Sequence, residues 1–311
     1  MTMFGYNILG FGVFSSGVSP ISCDCVVTGG GGSGGNTYGA GGAGGTSTQV
    51  DSRLFLPNVS YTVTIGGGGA YETVTNTTGN TGSDSSISGS GFTTITGSGG
   101  LGGAGQNGVD GQSGEIGSGG AGSYGSDSSG GSGSVGGDGG DSGGSKASPT
   151  YIVTSGGGGG QTADGQDGGD TGGDGGVGLD WKSLGTTDNI QQWGEVSAGG
   201  GGFYGNQYAP GTLRSYGGDR QPGGYGAASN YYGTRGYATN ASTNTGSGGG
   251  GGGFVGTGTG QQQLWGYQGG SGVVVIRYLS ASALATGGTV ISSGGYQYHK
   301  FTSSGTFALI V

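Results

Sequence analysis

Short runs of β-branched and aromatic residues recur along this chain, and each breaks off into glycine. Cys23 to Thr28 (CDCVVT) opens onto Gly29–Gly32, and the same order returns in YIVTSGGGGG at 151–160, GEVSAGGGGF at 194–203 and GGGGGGFVG at 248–256. Such repetition predicts successive passes through one bundle, with strand-like ends at its boundary. Two stretches read as conventional strands. One is Arg53–Ile65, with Pro57-Asn58 as a turn and an alternating arm at Tyr61, Val63 and Ile65. The other is the C-terminal stretch, GVVVIRYL at 272–279 followed by a hairpin whose turn is Ser303-Ser304-Gly305. These segments are expected to form a small sheet closing one end of the bundle.

Inside the glycine runs the period is three. The non-glycine positions are Ala40, Ala43 and Thr46 in one run and Val135, Asp138 and Asp141 in another. A third run carries Asp167 and Asp170, then, after a one-residue slip, Thr171, Asp174 and Val177. A helix of three residues per turn lines every third side chain on one edge, so these residues are expected to form outward ridges with glycine facing in. The i, i+3, i+4 pattern of an amphipathic α-helix is absent.

Composition sharpens this picture. Glycine supplies 93 of 311 residues and the hydrophobic set only 29%, which excludes an apolar core of normal design over most of the chain. Collagen requires a strict Gly-X-Y period and abundant proline, whereas this chain has 5 prolines and long glycine runs. At 8% charged residues it also lacks the charge of many disordered segments. What remains is a fold in which glycine is the packing residue. Extended polyproline-II strands make no internal hydrogen bonds, so their amides must bond sideways, and bare α-carbons allow the approach. Ordering glycine costs about 0.5–1 kcal/mol relative to alanine, and a net hydrogen bond returns about as much. Several layers or an oligomer are therefore expected. The predicted fold class is a bundle of polyproline-II-like glycine-rich helices with no α-helix and small β-sheet elements at the ends.

The net charge of −9 does not suit a nucleic-acid binder. No Asp or Glu follows Asp219, whereas Arg220, Arg235, Arg277 and Lys300 do. Residues 1–22 begin MTMFGYNILGFGVF, without Lys or Arg and interrupted by Gly5, Gly10 and Gly12. That is neither a secretory signal nor a membrane span. It reads as a hydrophobic docking or core peptide; as a docking leader its anchors are Phe4, Ile8, Leu9, Phe11 and Phe14. Cys23 and Cys25 read as small apolar strand residues.

Catalytic material is sparse. His299 is the single histidine, set in YQYHKF beside Lys300, and no nucleophile–base–orienter set is apparent around it. GxGxxG strings follow from glycine abundance and precede no helix. GGVGLD at 175–180 matches one copy of a calcium-repeat unit that works in tandem. Asp164, Asp167, Asp170 and Asp174 offer hard oxygen ligands, against which stands a plain solvated ridge. No enzyme activity, cofactor or metal is expected.

Binding chemistry concentrates at 181–237, in Trp181, Trp193, Tyr204, Tyr208, Tyr216, Tyr225, Tyr231, Tyr232 and Tyr237, with Arg214, Arg220 and Arg235 interleaved. Tyr, Trp, Arg, Ser, Gly and Asn make up binding loops because they offer rigid contact area at low entropy cost. The same rings also serve as packing plugs between loops.

The chain resembles the glycine-rich domains of phage tail-fibre and other virion proteins. The likeness rests on CVVTGGGGSGG at 25–35, YTVTIGGGGA at 61–70, GSDSSISGSGFTTITGSGG at 82–100, GGSGVVVIRY at 269–278 and GGYQYHKFTSSGTF at 294–307. It implies three parts: the leader 1–22, a glycine bundle at 23–270 with aromatic loops at 181–237, and a β segment at 271–311. It further implies a virion location, other virion proteins as partners and possible homo-oligomers. The loops would contact a host surface glycan or outer-membrane protein. The alternative is a capsid decoration, head fibre or tail appendage that binds no receptor.

Overall fold

A computed structural model describes residues 19–105, 108–122, 127–143, 152–181, 195–206, 222–230, 235–255 and 262–310. Among them no helix forms and the regular structure is β.

The apolar runs build two five-stranded antiparallel sheets. The first contains β1 (Ile21–Thr28), β2 (Ser47–Phe55), β12 (Val273–Leu279), β14 (Thr289–Ser293) and β15 (Tyr296–Phe301), in the order β14-β15-β12-β1-β2. The second contains β3 (Ser60–Thr64), β4 (Ser85–Gly89), β5 (Phe92–Gly97), β13 (Ala285–Thr286) and β16 (Gly305–Leu309), in the order β13-β16-β3-β4-β5. Their facing side chains share one core: Cys23, Cys25, Val27, Val274, Ile276, Tyr278 and Phe301 from the first meet Tyr61, Val63, Ile87, Ile95, Phe307 and Leu309 from the second. Phe55, at the end of β2, joins it, 4.7 Å from the Tyr61 ring and 5.1 Å from Phe307. The alternation of Tyr61 and Val63 is therefore realised, with both buried and Ser60, Thr62 and Thr64 exposed.

Two expectations about this region are corrected. The β elements are not a small closing sheet but a double-layered unit with its own apolar core. The hairpin also lies one turn earlier than expected. Gly294-Gly295 connects β14 to β15, at φ 57° and 83°, the left-handed pair that a two-residue hairpin turn requires. Ser303-Ser304 instead carries the chain from the first sheet to the second, where β16 pairs with β3. The choice is physical: the observed turn sets Val290 opposite His299 and lets β15 also pair with β12.

The glycine runs extend from one end of this unit and bond to one another through main-chain amides. From residue 29 to 36, donors address three neighbours in rotation. Gly29, Gly32 and Gly35 donate to the carbonyls of Thr46, Ala43 and Ala40 at 3.1, 2.9 and 3.0 Å. Gly30, Ser33 and Asn36 donate to Ser83, Asn80 and Thr77 at 2.9, 2.9 and 3.0 Å. Gly31 and Gly34 donate to Gly270 and Tyr267 at 2.9 Å. The partner numbers fall by three as the donors rise by three, so all three neighbours run antiparallel to this segment. The 40–46 run behaves likewise, except that Gly41 and Gly44 address Gly156 and Gly159 in parallel. Side chains are excluded by contact: a Cβ on Gly32 would fall on the Leu101 carbonyl.

The ridges divide. Asp138, Asp141 and Val135 are exposed, as expected. Ala40 and Ala43 are fully buried and Thr46 nearly so, because their run lies in the interior with neighbours in all three donor directions. A period of three marks the lattice; it does not say which edges face water.

Candidate functional site

The runs end away from the double sheet in short strands. β6 (Ile152–Thr154), β7 (Tyr204–Asn206), β8 (Ala228–Asn230) and β9 (Arg235–Gly236) form a four-stranded sheet, parallel only between β7 and β8. Beside it, β10 (Gly253–Val255) and β11 (Gln262–Leu264) form a ribbon. The 181–237 segment is therefore split between opposite ends of the molecule. Tyr204 and Arg235 belong to the far sheet, whereas Trp181 lies against the first large sheet.

Trp181 is buried among Val26, Val196, Val273, Val275 and Tyr298. Tyr204 is buried too, in a strand with neighbours on both sides. Both rings are thus packed inside the chain, as the packing-plug alternative has it. Tyr225 is half-buried, its N–H donating to Thr239 Oγ1 at 2.7 Å. Tyr237 is 57% exposed and follows β9 directly. Trp193, Tyr208, Arg214, Tyr216, Arg220, Tyr231 and Tyr232 lie outside the described residues, as do Phe4, Ile8, Leu9, Phe11 and Phe14 and the Arg235 side chain.

Four arrangements were not foreseen. Asn36, fully buried, ties three segments together at the far end. Its Nδ2 donates to the carbonyls of Glu72 and Val74 at 2.9 and 2.8 Å, while its Oδ1 accepts from Gly266 N at 2.5 Å. An amide inside a glycine run, in GGSGGN at 31–36, is the sequence signal for such a tie.

The acidic ridge does structural work. Asp164 and Asp167 accept the N–H groups of Asp138 and Asp141 at 2.8 Å. Asp138 and Asp141 in turn accept those of Gly133 and Gly130, at 2.6 and 2.8 Å. Where the lattice runs out of neighbouring carbonyls, a carboxylate one side chain long replaces them. Among the described residues no group of three or more His, Cys, Asp or Glu is placed to hold a metal ion.

On the face of the first sheet that carries Trp181, Arg277 donates through Nε and Nη2 to Asp24 Oδ2, both at 3.1 Å. Its guanidinium lies 4.4 Å from the Tyr296 ring centroid and 5.6 Å from that of Trp181. On the opposite face His299 is fully buried. Its Nδ1 is 2.8 Å from the Gly287 carbonyl and its Nε2 3.0 Å from the Tyr278 hydroxyl. A carbonyl can only accept, so Nδ1 carries the proton and Nε2 accepts from Tyr278. That hydroxyl accepts in turn from the N–H groups of Leu284 and Ala285. Burial lowers the histidine's proton affinity, opposed by the Gly287 carbonyl. The ring is thereby clasped between the Gly287 carbonyl and the Tyr278 hydroxyl.

No curated protein and no solved structure matches the chain. The model of a glycine-rich domain matches residues 13–279, which takes in the strands of the double sheet up to β12 together with all of the glycine runs. The chain belongs to this glycine-rich domain family.

Proposed function

We propose that the glycine runs are polyproline-II helices packed into a rigid bundle, and that the protein is a phage virion adhesin of the tail-fibre type. The three-way rotation of main-chain donors supports the first part, because a helix of three residues per turn repeats its donor direction every third residue. The observation that carries the second is the two-ended build. One end is a double sheet with an apolar core; the other is a set of short strands, among them β7, β8 and β10, which end at Asn206, Asn230 and Val255. Loops on a rigid scaffold are where recognition concentrates. Tyr231 and Tyr232, between β8 and β9, with Arg235 and the exposed Tyr237, are the contact residues in this reading, and residues 1–22 dock the protein to other virion proteins.

Purified protein should bind intact bacterial cells of susceptible strains, and the paired change Tyr231→Ala with Tyr232→Ala should abolish it. Undiminished binding by the folded variant, or no binding to any susceptible strain by the unaltered protein, sinks the reading.

The burial of Trp181 and Tyr204 favours a second reading, a virion structural component that contacts no receptor. Immunogold labelling of particles separates the two. Copies spread over the capsid support the structural role, and copies confined to the tail's far end support the adhesin.

A further inference from the structure

The double sheet has two sides where strands end the layers, and they are treated differently. On one side β2 and β5 close on each other. Thr48 Oγ1 donates to the Thr96 carbonyl at 2.6 Å and Arg53 Nη2 to that of Thr93 at 3.2 Å. β2 also carries Asp51 and Arg53 and is kinked at Ser52, φ 55°. Charge and distortion are the usual means of keeping an edge from pairing with another chain.

On the other side β13 is only two residues long, which leaves β14 as the edge. Its sequence is TVISS, without charge, proline or glycine, and it pairs with β15 in unbroken register. The two-residue turn makes Ser293 and Tyr296 the closing hydrogen-bonded pair. Alternation then directs the main-chain groups of Val290 and Ser292 outward. Val290 is 42% exposed and Ser292 is exposed, and no protein group bonds either amide from that side among the described residues.

We propose that β14 is a pairing edge through which a second copy of this chain joins antiparallel, doubling the first sheet. A two-fold axis at Ile291 sets Val290 opposite Ser292 of the second copy and the reverse. Each of those pairs exchanges both N–H···O bonds, four bonds in all by the antiparallel pattern. Thr289, Val290 and Ile291 are β-branched and suit the pleated surface. The strand is self-complementary, as a two-fold contact requires. The contact is small, so pairing belongs to high protein concentration, as on a crowded assembly.

Sedimentation velocity of the full chain tests it, from about 1 μM to about 1 mM, a range that brackets weak association. The mass should rise from monomer to dimer. Val290→Lys places a charge on the edge, and Ser292→Pro removes an outward donor that β15 does not use. Both variants should stay monomeric at the top concentration with the circular dichroism of the unaltered protein, Ser292→Pro melting somewhat lower because the Ser292 hydroxyl donates to Gln297 Oε1 at 2.7 Å. An unaltered chain that remains monomeric throughout overturns the proposal. So does a dimer that persists undiminished in either folded variant.

Discussion

Asp24 and Arg277 stand opposite each other on adjacent central strands although 253 residues separate them in the chain. The carboxylate also accepts the Ser52 N–H at 3.1 Å, so it links β12 to β2 across β1. With side chains only 21% and 13% exposed, the pair is shielded from solvent more than a surface ion pair is. Arg277→Ala should therefore cost about 2 kcal/mol, the range for hydrogen bonds to charged groups. Arg277→Lys should recover less than half of it, since lysine lacks the fork that reaches Oδ2 twice. Urea denaturation measures both. Full rescue by lysine means that the charge alone matters.

Glycine is needed in some positions and idle in others. Gly32 has no room for a Cβ against Leu101, whereas Gly67 is exposed with nothing within 4 Å. Gly32→Ala must push two main chains apart and break lateral bonds, a loss of about 3 kcal/mol or more. Gly67→Ala should leave stability unchanged or raise it by about 0.4–1 kcal/mol through the unfolded chain. Equal melting of the two variants contradicts the lattice argument.

His299 predicts a pH dependence. Its folded-state affinity for protons lies below the ordinary value of 6.5, owing first to burial. Below that pH the unfolded chain binds a proton that the folded chain refuses, so unfolding is favoured. The contribution is complete above pH 6.5 and is lost as pH falls, at no more than about 1.4 kcal/mol per unit. His299→Gln should flatten this part of the stability profile. If the slope between pH 6.5 and 5 survives that change, another group is responsible.

Both cysteines should be inert in the folded protein. Burial first, and the Asp24 carboxylate second, push the Cys23 thiol up to about 12. Cys25 is raised well above its ordinary value, by burial and then by Cys23. Thiolate is the reactive form. A disulfide reagent at pH 8 should label neither residue natively and both in denaturant. Rapid native labelling means that the sheets open.

Local features were legible in the sequence and distant ones were not. CDCVVT, YTVTI and VVVIRYL are recognisable as strands because β-branched residues and alternation are local signals. Which strands pair is decided by partners far away, as with Asp24 and Arg277, and nothing local reports it. The hairpin was misplaced because Gly294-Gly295 and Ser303-Ser304-Gly305 carry similar turn chemistry, and only the demand that β15 pair on both edges distinguishes them. At the candidate site, richness in Trp, Tyr and Arg does not separate a ring under a sheet from one on a loop. Trp181 lies under the first sheet and Tyr204 within the far one. The spacing of Asp138 and Asp141 was visible, but their capping of Gly133 and Gly130 depends on a neighbouring run whose position spacing does not encode.

The interleaving of early and late strands also shapes how the molecule is made. β1 is an inner strand of its sheet, yet one of its two partners, β12, begins at Val273. On the ribosome β1 therefore waits, with one flank bare, until roughly the whole glycine-rich stretch has been translated. Contacts this remote in sequence make folding slow, and an unpaired apolar strand invites association with other nascent chains. The dilution of this middle stretch in glycine, serine and aspartate keeps few competing apolar segments in reach while β1 is left waiting.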